Sequence, residues 1–145
     1  MNETEKRAQY FVNIRNSMNG SVNAMLKMEL TEIDETKKSV TLHFPLEQWE
    51  MNPSGHTHGG IICTMLDMSM GAAAYSYSDA SFAPTIQMAV NFDRGSEAVD
   101  ALTVESICDH VGSRMAQVRA LARNKKGIVV ASANGSYAIN HKVHE

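Results

Sequence analysis

The stretch Asn52-Pro53-Ser54-Gly55-His56-Thr57-His58-Gly59-Gly60 marks the point where the chain changes character. Behind it, Gly59 to about Ser78 holds no proline, few β-branched residues and many Met, Leu and Ala, which predicts one long helix. At 1.5 Å per residue that helix runs about 30 Å, the width of a small domain, so it forms the spine of the fold. Ahead of the stretch, Met25 to Ile33 and the alternating Val40, Leu42 and Phe44 predict two strands, joined as a hairpin through Asp34-Glu35-Thr36-Lys37. Beyond Pro84, Ile86, Met88, Val90 and Phe92 alternate with Thr85, Gln87, Ala89 and Asn91, giving a strand with one apolar face. Leu102 to Val111, Arg114 to Arg123 and Ile128 to Ile139 add three more, the last two joined by a tight turn at Asn124-Lys125-Lys126-Gly127. At the start, Asn2 and Glu5 have the spacing of a capping box, and Ala8, Phe11, Val12 and Ile14 form a stripe that predicts a short helix ending near Gly20. Helix, two strands, long helix and four strands make an α+β chain. Short connections imply an antiparallel sheet of five to six strands, whose apolar face covers the long helix.

The chain of 145 residues fits one domain over its whole length, and 43% hydrophobic with 20% charged residues are globular values. A net charge of -3 gives no hint of nucleic acid. No apolar run follows a basic start, and the most apolar segment, Ile61 to Ala74, is interrupted by Asp67 and falls short of the roughly 20 residues that span a bilayer. A cytoplasmic protein without membrane or nucleic-acid partners is expected. Cys63 and Cys108 form no CxxC pair and read as reduced, structural thiols. His56 and His58, with His43 or His110, lack an acidic residue to complete a compact ligand set, so neither metal nor other cofactor is expected.

Two glycines at a helix entry are either a permissive turn or a place where bare N–H groups, at the positive end of the helix dipole, meet a developing oxyanion. Asn52 supplies a neutral donor nearby, and His58 is placed to hold a carbonyl or the asparagine. Asp67 stands among Met65, Leu66, Met68 and Met70, although aspartate is a poor helix former. It faces water beside Ser69, or it faces the core at a large desolvation cost that a functional site would have to repay. Gly71, Ala72, Ala73 and Ala74 suit close packing, under the sheet or against another chain, and the methionines of this helix fill core or line an adaptable groove. Cys63, four residues before Asp67, is a poor nucleophile, because a neighbouring carboxylate raises its pKa.

Taken together, Asn52-x-x-Gly55-x-x-His58-Gly59-Gly60, then Leu66-Asp67, then Asn91-Phe92, resemble the hotdog-fold thioesterases related to phenylacetyl-CoA thioesterase, over nearly the whole chain. The resemblance implies a hotdog fold, an acyl-CoA substrate and hydrolysis to free acid and coenzyme A. It implies that Asp67 is nucleophile or general base, that the Gly59 N–H and the Asn52 amide polarise the thioester carbonyl, and that the Thr85 hydroxyl orients water where serine is more usual. For the coenzyme it points to the turn Val111-Gly112-Ser113-Arg114; Arg94, Arg114, Lys125 and Lys126 stand near predicted strand ends, either solvated or meeting the phosphates, and Gly60 is a further expected substrate contact. The family often continues Asn-Phe-x-Arg with an apolar residue and proline, whereas this chain reads Asn91-Phe92-Asp93-Arg94-Gly95. Two other readings are a hotdog module that binds acyl-CoA without hydrolysing it and a hydratase or dehydratase. A poised carboxylate favours the hydrolase.

Helix geometry adds a constraint of its own. Gly59 and Asp67 are eight residues apart, about 12 Å along one helix axis. They cannot both reach one carbonyl, which needs contacts near 3 Å. Two antiparallel copies of the helix would bring Gly59 of one chain to Asp67 of the other, giving two identical sites about a twofold axis. A homodimer is therefore expected, and the resemblance extends this to a tetramer built as a dimer of dimers.

Overall fold

The computed structural model describes residues 1–98 and 100–142. Helices α1 (Glu3–Asn16) and α2 (Val22–Met25) precede strands β1 (Glu29–Asp34) and β2 (Ser39–Pro45). A 3-10 turn at Gln48–Glu50 leads to α3 (Gly59–Ser76), and β3 (Thr85–Phe92), β4 (Ala101–Val111), β5 (Met115–Arg123) and β6 (Val129–Ala138) follow. The strands form one antiparallel sheet in the order β1-β2-β4-β5-β6-β3. The sheet wraps α3, and α1 packs along the same helix through Phe11 and Tyr75. This is the hotdog architecture. No helix of the described residues is long and apolar enough to cross a membrane.

Local chemistry explains most boundaries. Asn2 Oδ1 accepts from the Glu5 N–H at 2.9 Å and Glu5 Oε2 from the Asn2 N–H at 3.1 Å, closing the capping box. The helix stops at Asn16 rather than near Gly20, since the Asn16 side chain turns away to donate to the Met28 carbonyl at 2.9 Å. The first strand begins at Glu29, not Met25: Met25 ends the unforeseen α2, and Lys27 takes a left-handed φ of 50° that breaks any extended run. Asp34 Oδ1 accepts from the N–H groups of Thr36 and Lys37, and Asn124 Oδ1 from those of Lys126 and Ile128, so both hairpin turns lie where the sequence placed them.

Along α3, Met65, Leu66, Met70 and Ala72 to Ala74 are fully buried in the core beneath the sheet. The small residues are thus packed within the chain, and Ser69 is buried too, its hydroxyl donating to the Met65 carbonyl at 2.7 Å. The apolar face of β3 is covered only in part. Met88 and Val90 reach the core, but Ile86 and Phe92 are more than half exposed, and the outer edge of β3 has no strand partner among the described residues.

Candidate active site

Asp67 lies on the flank of α3, half-buried, where β3 begins and β6 ends. Its Oδ1 accepts two hydroxyl hydrogen bonds, from Thr85 Oγ1 at 2.6 Å and from the Tyr137 hydroxyl at 2.8 Å. Strict alternation places Thr85 on the outer face of β3 with Gln87. A β-bulge at Ile86 changes this: Thr85 pairs with Tyr137 while Gln87 pairs with Ser136, so Thr85, though exposed, stands on the side of the tyrosine with its hydroxyl on Asp67. Burial pushes the Tyr137 phenol up, and the charge of Asp67 adds to the effect, so the hydroxyl stays a donor. Among the described residues no donor reaches Asp67 Oδ2, and Asp67 lines a cavity of about 230 Å³ together with Phe11, Arg15, Asn23, Thr64 and Met68. Met68 is the helix methionine that meets this cavity; Met65 and Met70 fill core. Burial, with Asp67 second, raises the Cys63 thiol above its ordinary value, which leaves it a poor nucleophile.

Asn52 and Gly59 line a different cavity, of about 360 Å³, with His56, Phe92, Arg94 and Gly95. Asn52 Oδ1 accepts from the N–H groups of Ser54 at 2.9 Å and His56 at 3.1 Å, and among the described residues its Nδ2 hydrogens have no acceptor. The loop is fastened just before the helix, by the Thr57 N–H to the Ser96 carbonyl at 2.6 Å and by the His58 N–H to the Glu50 carbonyl at 2.8 Å. Glu50 is wholly buried, and that burial pushes its carboxyl up. His58 does not hold Asn52: its side chain is exposed and makes no hydrogen bond among the described residues, while backbone N–H groups do the holding. Gly59 and Gly60 open α3, where first-turn N–H groups have no intrahelical acceptor. A Cβ at Gly59 would lie 3.3 Å from Phe92 Cζ, whereas Gly60 faces open space. Gly95 explains the departure after Arg94, since a Cβ there would stand 2.5 Å from His56 Cδ2.

The two cavities share no lining residue, yet both touch β3, one at Thr85 and the other at Phe92. Gly112, Ser113 and Arg114 line neither. Their turn is closed by the Gly112 N–H on the Met115 carbonyl, and the Arg114 carbonyl accepts from Ile139 at the Thr85 end of the sheet. Sequence reasoning missed Tyr137, Arg15 and Asn23. A tyrosine within a predicted core strand was a usable signal, because a buried phenol needs a partner for its hydroxyl; Arg15 and Asn23 offered none.

A hotdog fold with a hydroxyl-held carboxylate on its central helix defines the class of protein. Residues 54–131, more than half of the chain, match a sequence model of the thioesterase superfamily. The chain belongs to that superfamily. The Escherichia coli PaaI protein from the phenylacetic acid degradation operon shares the fold at a TM-score of 0.78 and 18% identity, covering 96% of this chain and 95% of that one. A Streptococcus mutans protein bound to acetyl CoA does so at 0.71 and 23% identity, over 81% and 91% of the two chains. A hypothetical thioesterase from Streptococcus pneumoniae, solved with coenzyme A, gives 0.72 and 20% identity over 81% and 88%. No curated protein sequence matches this one.

Proposed function

We propose that this protein hydrolyses acyl-CoA thioesters in a site shared between two chains. The observation that carries the reading is the placement of the two cavities at opposite ends of the same free edge strand. If β3 pairs antiparallel with its copy about a twofold axis, the Thr85 end of one chain meets the Phe92 end of the other. Asp67 of the first chain then faces Asn52 and Gly59 of the second, and the exposed Ile86 and Phe92 become covered. A thioester carbonyl held there accepts from the Gly59 N–H and the Asn52 amide, which stabilise the oxyanion. Asp67 Oδ2 either takes a proton from the attacking water and returns it to the departing thiolate of coenzyme A, or attacks the carbonyl carbon, releasing the thiolate and forming a mixed anhydride that water then hydrolyses. Thr85 donates to Asp67 and offers its lone pairs to that water. In the pair, Arg94 of one chain and the Gly112-Ser113-Arg114 turn of the other lie toward the same end, in reach of coenzyme A phosphates, with Gly60 open to the substrate. Superfamily membership and the bound coenzyme in two structures of the same fold support the substrate class.

A panel of aryl, short-chain and long-chain acyl-CoAs, assayed for free thiol, tests the reading. At least one should be hydrolysed, and Asp67→Asn should lower kcat about a hundred- to ten-thousand-fold without loss of fold or assembly. An unchanged kcat on the best substrate would remove Asp67 from the mechanism.

A further inference from the structure

The cavity at Asp67 contains a cation that thioester hydrolysis does not use. Arg15 comes from α1 and Asn23 from the turn-length α2; both lie outside residues 54–131, yet both line the cavity with Asp67. The Arg15 guanidinium sits 3.3 Å from the centre of the Phe11 ring, and its Nη1 donates to the Phe11 carbonyl at 3.3 Å. A guanidinium has about five N–H donors in a rigid fork. Among the described residues no other acceptor takes the rest, and no carboxylate lies within ion-pair distance. Asp67 shares the cavity but accepts from two hydroxyls instead. The guanidinium is thus half-buried with no ion pair within the described chain, so it is available to an anion that enters the cavity. Burial pulls its pKa below the ordinary arginine value, while Tyr75 and then Asp67 oppose this.

Resting on the thioesterase reading above, we infer that Arg15 receives a carboxylate at the far end of the acyl group, which makes acyl-CoAs with a carboxylate-terminated acyl chain the preferred substrates. The phosphates of coenzyme A are not the anion. They are separated from the reacting sulfur by the whole pantetheine arm, whereas Arg15 and Asp67 line one cavity of about 230 Å³. An anion inside it belongs to the acyl group, and that volume suits a short chain. A carboxylate can take two parallel N–H groups from the guanidinium fork, the strong form of a charge-assisted hydrogen bond. Asp67 keeps its own two donors, so the incoming charge is balanced by Arg15.

Chain-matched pairs test this: glutaryl-CoA against pentanoyl-CoA, and adipyl-CoA against hexanoyl-CoA, with the uncatalysed rate of each subtracted. The carboxylated member of each pair should show a kcat/KM about 10- to 100-fold higher. Arg15→Gln should bring that ratio near unity, and Arg15→Lys should keep part of it. The ratio is independent of the fraction of folded enzyme, so poor folding of a variant does not obscure the result. Equal or faster turnover of the neutral members by the unaltered protein overturns the inference and leaves the thioesterase reading standing. So does an Arg15→Gln variant that slows both members alike, because Arg15 then acts through the fold or through Asp67. Absence of free thiol from these and from every other acyl-CoA tried sinks the thioesterase reading and this inference with it.

Discussion

Aspartate competes poorly for helix positions, because its short side chain bonds the backbone in other conformations. At Asp67 two hydroxyls from the sheet hold the carboxylate, so its place is fixed by tertiary contacts that local propensity does not record. Both donors occupy the same oxygen, which leaves the other without a donor among the described residues. Tyr137 is the more informative of the two to remove, since phenylalanine keeps its volume in the core and deletes only the hydroxyl. A hydrogen bond to a charged group contributes about 1.5–3 kcal/mol, so Tyr137→Phe should lower kcat about 10- to 100-fold if orientation of Asp67 limits the reaction. KM and the melting temperature should change little. Steady-state kinetics beside thermal unfolding separate the outcomes: a lower melting temperature with normal kcat would mean that the phenol serves the fold alone. At this scale Asp67 stood out as an aspartate among apolar helix residues, whereas Asn52 and Gly59 drew notice only in combination and through the resemblance. Tyr137 did not stand out, since its partner lies 70 residues away in sequence.

Element by element, legibility follows locality. The capping box of α1, the glycine-led start of α3 and the Asx turns at Asp34 and Asn124 all involve residues a few positions apart, and all stand as the sequence predicted. The end of α1 depends on a bond from Asn16 to Met28, and the bulge in β3 depends on its register with β6, so neither is visible in a local pattern. The bulge matters most, because alternation alone would turn the Thr85 hydroxyl away from Asp67. Arg15 escaped for a related reason: on a polar helix an arginine reads as solvated until α1 is docked on α3. The entry of α3 carries its own prediction. A methyl group at Gly59 would meet Phe92 Cζ at 3.3 Å and stand near the N–H proposed to bind the oxyanion. The contact is with the tip of a side chain rather than with backbone, and a shift of a few tenths of an ångström relieves it, so the fold should tolerate Gly59→Ala. Loss of one oxyanion donor costs about a hundred- to a thousandfold in kcat, and a fall of about a hundredfold with a near-normal melting temperature is expected. Normal turnover in a folded variant would move the oxyanion donor elsewhere.

For the whole molecule, the question is whether one chain can complete a site. Within a chain the helix separates Gly59 from Asp67 by about 12 Å, and the two cavities they line have no residue in common. The same separation makes the shared site testable by subunit mixing. Asp67→Asn and Asn52→Ala should each be nearly inactive as pure preparations, the first lacking the carboxylate in both sites and the second the amide donor in both. In a mixed dimer the lesions segregate. One site receives the altered Asp67 and the altered Asn52, and the other receives neither and is intact. Random exchange of equal amounts makes about half of the dimers mixed, each with one working site of two, so recovered activity should approach about a quarter of the unaltered enzyme. Pairing of dimers into tetramers does not change that fraction if each site lies within one dimer. The chains must be dissociated and reassembled together, with a mass-tagged chain to count heterodimers. If tagged heterodimers form in the expected proportion and remain as inactive as their parents, each site lies within a single chain. In that case the pairing through β3 and the joint roles of Asp67 and Asn52 are wrong together.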